Sequence, residues 1–208
     1  IDDRQREFVK IIDNSAQALL TIINDILDFS KIEAGALKLD PTPFDLKDAL
    51  NDVGALMRKS AQEKKIELIV NYCPQMGRHF IGDVGRIRQV VTNLVSNAIK
   101  FTSKGRVIIS VAVKEPRENM SVVKISVKDT GIGISQDKLQ AVFDKFTQAD
   151  GSTTRLYGGT GLGLSISKRI VEMMKGRFQV SSEEGVGSEF SFAIPLPKDN
   201  NVTPIEYD

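Results

Sequence analysis

The chain of 208 residues has one cysteine, Cys73, one histidine, His79, and no tryptophan. A single thiol excludes an internal disulfide and any zinc site built from cysteines, and it fits a reducing compartment. Charge of one sign is lacking as well: 28 Lys and Arg stand against 27 Asp and Glu, a formal net charge of +1. That argues against a dedicated nucleic-acid surface, whose main affinity comes from uncompensated cations. No apolar run approaches the ~20 residues that cross a bilayer, and no secretory leader is visible. The expectation is a cytoplasmic piece with no membrane contact of its own, whatever anchors its parent. Internal repeats and low-complexity tracts are also missing. What is present is ordinary: 41% hydrophobic and 26% charged residues suffice for one medium domain plus an appendage.

The appendage comes first. From Asp2 to about Lys31, Phe8, Ile12, Ser15, Leu19, Ile22, Ile26 and Phe29 recur at alternating spacings of four and three, a heptad seam. Val9, Ala16, Leu20, Ile23 and Leu27 form a second row beside it. Two adjacent rows make a stripe that needs partners on two sides, as in a four-helix bundle. Gly35 predicts a helix stop, and Pro41 and Pro43 an extended linker.

Asp45 then predicts an N-cap for a helix to about Lys64, followed by a strand over 66–72 and a helix from Asp83 to about Lys100. Alternation predicts strands over 106–114 and 122–128 with a turn over 116–120 between them. Ser135 predicts a short helix ending near Phe143. Residues 150–159 read as a polar, glycine-containing loop, 162–174 as a helix with Gly176 after it, and 178–182 and 188–194 as closing strands. The tail from Pro195 is polar and is expected to fray. Strands interleaved with helices predict an α+β fold, a mixed sheet with helices on one face.

Three motifs carry chemistry. Asp129-Thr-Gly-Ile-Gly-Ile134 follows an apolar strand. A carboxylate at that strand end can accept from an exocyclic amine, while Gly131 and Gly133 let a flat ring approach the backbone. Taken alone, Asp-x-Gly is commonest in plain turns. Gly158-Gly-Thr-Gly-Leu-Gly-Leu164 opens a helix, whose free N–H groups and dipole favour an anion, phosphate being the natural one. It is neither a dinucleotide fingerprint, because no strand leads into it, nor a P-loop, because Gly-Lys-Ser/Thr is absent. In the segment from Asp83 to Thr102, Asn93, Asn97 and Lys100 fall on one helix face beside Val90, Val91, Leu94, Val95 and Ala98. Amide oxygens there suit a hard cation and the ammonium suits phosphate, an arrangement that fits magnesium with few protein ligands.

In order and spacing these three motifs resemble the N, G1 and G2 boxes of sensor histidine kinases: Asp83 to Thr102, Asp129 to Ile134 and Gly159 to Leu164. Phe143-Asp-Lys-Phe-Thr-Gln-Ala-Asp150 resembles the F box, and Gly185-Val-Gly-Ser-Glu-Phe190 the final glycine motif. The resemblance covers nearly the whole chain and is closest to hybrid-type kinases. It implies the GHKL (Bergerat-type) α/β sandwich shared with gyrase B, Hsp90 and MutL, preceded by one long bundle-type helix.

It further implies ATP and Mg2+ as cofactors, with Asp129 on the adenine amine and Gly131 and Gly133 at the ring. Asn97 is implied as a magnesium ligand, Asn93 as its assistant at metal or triphosphate, and Lys100 as a phosphate contact. Phe101 packs by the ribose or adenine rim on this reading. Gly159, Thr160, Gly161, Leu162 and Gly163 bring the lid over the phosphates, and Ser188 reaches the adenine through water. Residues 150–160 become the lid, anchored by Phe143 and Phe146. Where many relatives carry Arg in the F box this chain has Gln148, and Arg155 is the candidate replacement.

The first segment resembles the second helix of the dimerisation and phosphoacceptor hairpin. The implied organisation is residues 1–35 for that helix, 36–44 linker, 45–197 ATP-binding catalytic domain and 198–208 tail. Nothing in the chain matches the Ser-His-Glu segment of the first helix, and His79 reads as surface or packing. The implied activity is presentation of the ATP γ-phosphate to a histidine held elsewhere, with ATP or ADP, a homodimer partner through the first helix and a response regulator receiver domain as partners. Gyrase-like ATPases carry Glu where Asn93 stands, and an amide cannot serve as the base for water. A nucleotide-sensing or degenerate module that signals through its helix is the alternative.

Overall fold

The computed structural model describes residues 2–73, 77–116, 119–139, 141–143 and 161–201. Asp2 opens the first helix, α1 (Asp3–Glu33): its carboxylate accepts from the Gln5 backbone N–H at 2.7 Å, and the Gln5 side chain accepts from the Asp2 N–H at 3.1 Å. This reciprocal cap satisfies two orphan donors. The helix stops where Gly35 takes a φ of 63°, a left-handed turn that lets the Ala36 and Leu37 N–H groups fold back onto the Lys31 carbonyl.

The expected linker is partly a strand. Thr42–Asp45 (β1) pairs antiparallel with His79–Gly82 (β3), so Pro41 and Pro43 lead into a two-stranded sheet. Asp45 caps α2 (Leu46–Glu63) by accepting from the Asp48 N–H, and β2 (Ile66–Tyr72) follows as the alternation predicts. Asp83 caps α3 (Val84–Phe101) in the same way through the Arg86 N–H. Next come β4 (Gly105–Pro116) and β5 (Met120–Asp129). The predicted short helix before Phe143 is instead turns and a single 3-10 turn, Ala141–Phe143. Then come α4 (Gly163–Met173), β6 (Arg177–Glu183) and β7 (Gly187–Pro197). At the end of α4 the left-handed position falls on Lys175, φ 59°, not on Gly176. Gly176 is needed for closeness: a Cβ there would sit 2.5 Å from Ile194 Cγ2 and 2.6 Å from the Ala193 carbonyl.

The main sheet has the order β2-β4-β5-β7-β6, with β2 and β4 parallel and every other pair antiparallel. One face is apolar: Val107, Ile109, Val123, Ile125, Phe192 and Ile194 are at most 1% exposed, and they meet Leu50 of α2, Val91 and Val95 of α3 and Ile170 of α4. Among the described residues the helices pack on this face, as predicted. The tail does not fray at Pro195. β7 runs on to Pro197, Lys198 bridges Phe80, and the Asp199 N–H donates to the His79 carbonyl. Among the described residues no helix is long and apolar enough to cross a membrane.

Candidate functional site

Asp129 ends β5 and is only 6% exposed. A buried carboxylate needs donors, and one of its oxygens, Oδ1, has two: the Gly131 N–H at 2.8 Å and the Ser188 N–H at 3.3 Å. Burial pushes the Asp129 carboxyl above its ordinary value, and these two N–H groups oppose that shift. The second oxygen is available as an acceptor.

The glycines beside it are steric necessities. A Cβ on Gly131 would lie 2.5 Å from the Phe101 carbonyl, which also accepts from the Ile132 N–H. Gly133 has a φ of 69°, and its Cβ would fall 2.0 Å from the Glu183 carbonyl. The loop is therefore pressed between the end of α3 and the β6–β7 hairpin. That hairpin answers with a hydroxyl cluster. Ser182 Oγ lies 2.9 Å from Ser188 Oγ, accepts from the Ile134 N–H at 2.8 Å and donates to the Gly187 carbonyl at 3.0 Å.

Along α3, Asn93, Asn97 and Lys100 do share a face. Asn93 donates to Ser167 Oγ of α4 at 2.9 Å, and its own carbonyl faces Asn97 Nδ2 at 3.5 Å. A Cβ on Gly163 would come 2.4 Å from Asn93 Oδ1. Two distant motifs thus meet in space, with the N-terminal turn of α4 lying against the amide of Asn93. That turn has no side-chain cap from Leu162, which suits an anion at the helix start. Leu162 itself is 1% exposed and packs in the core, so any contact it offers a ligand is through backbone. Lys100 places its ammonium 4.9 Å from the Phe101 ring centroid, and burial first, then the Lys64 ammonium, lower its pKa. Lys64 donates to the Ile99 and Lys100 carbonyls at 2.9 and 2.8 Å, closing the C-terminus of α3.

Gly161, with a φ of 69°, precedes α4. Gly159, Thr160, the expected lid with Arg155, and Phe146 and Gln148 lie outside the described residues. Phe143 packs edge-on to Phe178 at 5.4 Å. His79 sits half-exposed on β3, with Nε2 4.0 Å from Asp45 Oδ2. This carboxylate neighbour lies across the strand pair rather than along the sequence, and Arg78 holds it at 2.7 Å. His79 lies at the far end of β7 from Ser188, roughly 30 Å away at ~3.3 Å per strand residue.

Sequence reasoning missed Ser182, Ser167 and Lys64. Counting outward from the Gly185 turn places Ser182 opposite Ser188 and was the one available signal. The other two depend on how helices pack. It also missed the seam to the first helix, where Asp28 accepts from Arg86 Nη1 at 2.9 Å and Gln89 Nε2 at 2.7 Å.

Residues 82–198 match the family described as histidine kinase-, DNA gyrase B-, and HSP90-like ATPase, and residues 1–35 match the His Kinase A (phospho-acceptor) domain. The sensor histidine kinase GacS of Pseudomonas protegens is 47% identical over 94% of this chain and 21% of its own length. The signal transduction histidine-protein kinase BarA of Escherichia coli is 41% identical over 95% of this chain and 22% of its own length. The chain thus spans about a fifth of these relatives. Among solved structures, full-length ShkA in complex with AMPPNP matches with a TM-score of 0.80 and 33% identity, over 96% of this chain and 40% of that one. Histidine kinase ThkA in complex with the response regulator TrrA matches with a TM-score of 0.66 and 25% identity, over 96% and 53%. With Asp129, the Asn93 and Asn97 amides and the start of α4 assembled on a helix-covered mixed sheet, the chain belongs to the histidine kinase-, DNA gyrase B-, and HSP90-like ATPase family.

Proposed function

We propose that this chain binds Mg-ATP with its base on Asp129 and its phosphates between α3 and the start of α4, and presents the γ-phosphate to a histidine of a two-component system. One observation carries the reading: a nearly buried carboxylate keeps one oxygen for an incoming amine while backbone N–H groups hold the other. On this reading residues 45–197 are the catalytic domain, and residues 1–35 supply one helix of a dimeric phosphoacceptor bundle. Phe101 and Lys100 flank the base and phosphates at the end of α3. Gly159, Thr160, Gly161 and Gly163 let backbone N–H groups reach phosphate oxygens.

A divalent cation fits this donor set. No group of three or more His, Cys, Asp or Glu that could hold a metal exists among the described residues. The Asn97 carbonyl, with Asn93 behind it, therefore offers a single neutral oxygen, as magnesium uses when phosphates supply most of its ligands. When bound, magnesium neutralises phosphate charge. The protein's own contribution is positioning: it fixes the base, orients the triphosphate and excludes water. ShkA, solved with the nucleotide analogue AMPPNP, and ThkA, solved with a response regulator, support nucleotide and receiver domain as partners.

Isothermal titration of Mg-ADP tests the site. Asp129→Ala is expected to weaken ADP whether or not magnesium is present, and Asn97→Ala to weaken mainly the magnesium-dependent part. Binding unchanged by both overturns the assignment. The second reading, a nucleotide sensor that signals through its helix, draws on the bonds from Asp28 of α1 to Arg86 and Gln89 of α3. Nucleotide binding without phosphate transfer to any supplied hairpin would favour it.

A further inference from the structure

Ser182 has no place in the pocket as described, yet it is the most constrained hydroxyl beside it. It is 8% exposed and stands directly opposite Ser188 in the β6–β7 pairing, and Ser188 in turn adjoins Asp129 on β5. The three residues make a row across three neighbouring strands at one end of the sheet. A serine hydroxyl has one proton and two lone pairs. Around Ser182 Oγ stand an obligate donor, the Ile134 N–H, an obligate acceptor, the buried Gly187 carbonyl, and the Ser188 hydroxyl. The Ile134 N–H occupies one lone pair and Gly187 takes the proton. Only the second lone pair is left for Ser188, so Ser188 must donate to it. With its proton committed inward, Ser188 can offer the pocket lone pairs alone.

We infer that Ser182 is a specificity-determining positioning residue: by fixing the direction of the Ser188 proton, it makes Ser188 an acceptor beside the acceptor Asp129, so that the site takes a purine with an exocyclic amine and rejects one with an oxo group at that position. The inference rests on the proposal that the base sits against Asp129. Two acceptors side by side match the two N–H bonds of an amine, directly or through one water molecule. They confront the lone pairs of a carbonyl with nothing to receive. A hydroxyl free to rotate would donate to the carbonyl and blur the choice. The same hydrogen bonds tie the G1 loop to the hairpin through Ile134, and Gln136 adds a bond to the Ser182 carbonyl at 3.1 Å. The discriminating group is therefore held in place as well as oriented.

The test measures ADP and IDP, which differ in amine against oxo, by competition on the whole chain. Ser182→Ala is expected to lower the ADP-over-IDP preference about tenfold, the worth of one buried hydrogen bond gained by the oxo group. The shift should vanish in a Ser188→Ala background, because Ser182 acts through that hydroxyl. Ser182→Cys, which fits the same space and donates weakly, should fall between wild type and Ser182→Ala and covers the case in which the alanine variant fails to fold. A purely structural role would weaken both nucleotides equally; an unchanged ratio, or a shift that persists without Ser188, overturns the inference. If wild type shows no Asp129-dependent ADP binding, the pocket reading fails first and is recognised as a separate result.

Discussion

A single carboxylate sets much of the site's chemistry, and its burial gives it a distinctive pH dependence. Asp129 accepts most strongly from an amine when ionised, and burial raises its pKa against the pull of the Gly131 and Ser188 N–H groups. ADP affinity should therefore fall as the solution is acidified, beginning at a higher pH than for an ordinary aspartate. Asp129→Asn should weaken ADP by about ten- to a hundredfold, as for the loss of a hydrogen bond to a charged group, and should flatten the pH profile measured by titration calorimetry. The nucleotide-free protein behaves oppositely. A folded-state pKa above the unfolded value means the native state binds more protons in the window between them, so Asp129 favours the fold below that window and its contribution is lost as pH rises through it. Asp129→Asn should thus leave the unliganded protein at least as stable at neutral pH while impairing binding, a split that melting curves with and without ADP would reveal. The glycines divide the same way. Gly133→Ala meets the Glu183 carbonyl at 2.0 Å with a φ of 69° and should abolish ADP binding. Gly85→Ala meets nothing nearer than Asp83 Oδ1 at 3.4 Å and should stabilise α3 by about 0.5–1 kcal/mol. Both glycines are visible in the sequence; only the neighbours separate them.

Among the elements, α1 is joined to α3 by a short polar seam. Asp28 receives two side-chain donors from α3, the Arg86 pair being 15% and 25% exposed, and the Asp40 N–H donates to Asp83 at the cap of the same helix. Partial burial makes the seam stronger than a surface ion pair. Asp28→Ala should loosen the last turns of α1 by about 1.5–3 kcal/mol, the scale of bonds to a charged group. Hydrogen exchange should speed up there and stay unchanged in β4 and β5. This seam, like the Asn93–Ser167 bond between α3 and α4, could not be read from the chain because each partner looks like an ordinary helix-surface residue. Periodicity and capping carried further: Asp45 and Asp83 mark the starts of α2 and α3, and β2 has the predicted bounds. The errors fall where pairing partners are remote. Residues 42–45 become a strand only because 79–82 lie beside them, and the tail is held only because His79 and Asn119 receive its N–H groups. The candidate site residues stand out as motifs because each box is continuous in sequence. Ser182, whose role comes from a cross-strand neighbour, was not.

For the molecule as a whole, the two ends of the reading constrain each other. On the proposed function the site needs an acceptor nitrogen in line with the γ-phosphate and a base to receive its proton. The chain's one histidine, His79, lies at the opposite end of β7 from the Asp129–Ser188 row, and its nearby carboxylate Asp45 is engaged by Arg78 at 2.7 Å. It is therefore expected not to receive the phosphate. Meanwhile α1 displays ten apolar side chains from Phe8 to Leu27, each 39–67% exposed. A stripe of that extent drives association with other helices. The expected result with radiolabelled ATP is no phosphate on this chain alone, and acid-labile phosphate on an added phosphoacceptor hairpin from a related kinase. Leu19→Glu, which charges the stripe without touching the nucleotide site, should reduce transfer to the hairpin and shift the chain toward monomer in sedimentation, while leaving ADP affinity unchanged. Label on this chain that disappears with His79→Gln would contradict the placement of His79. Transfer insensitive to Leu19→Glu would mean that the catalytic domain recognises the hairpin without α1, and that the stripe serves dimerisation alone.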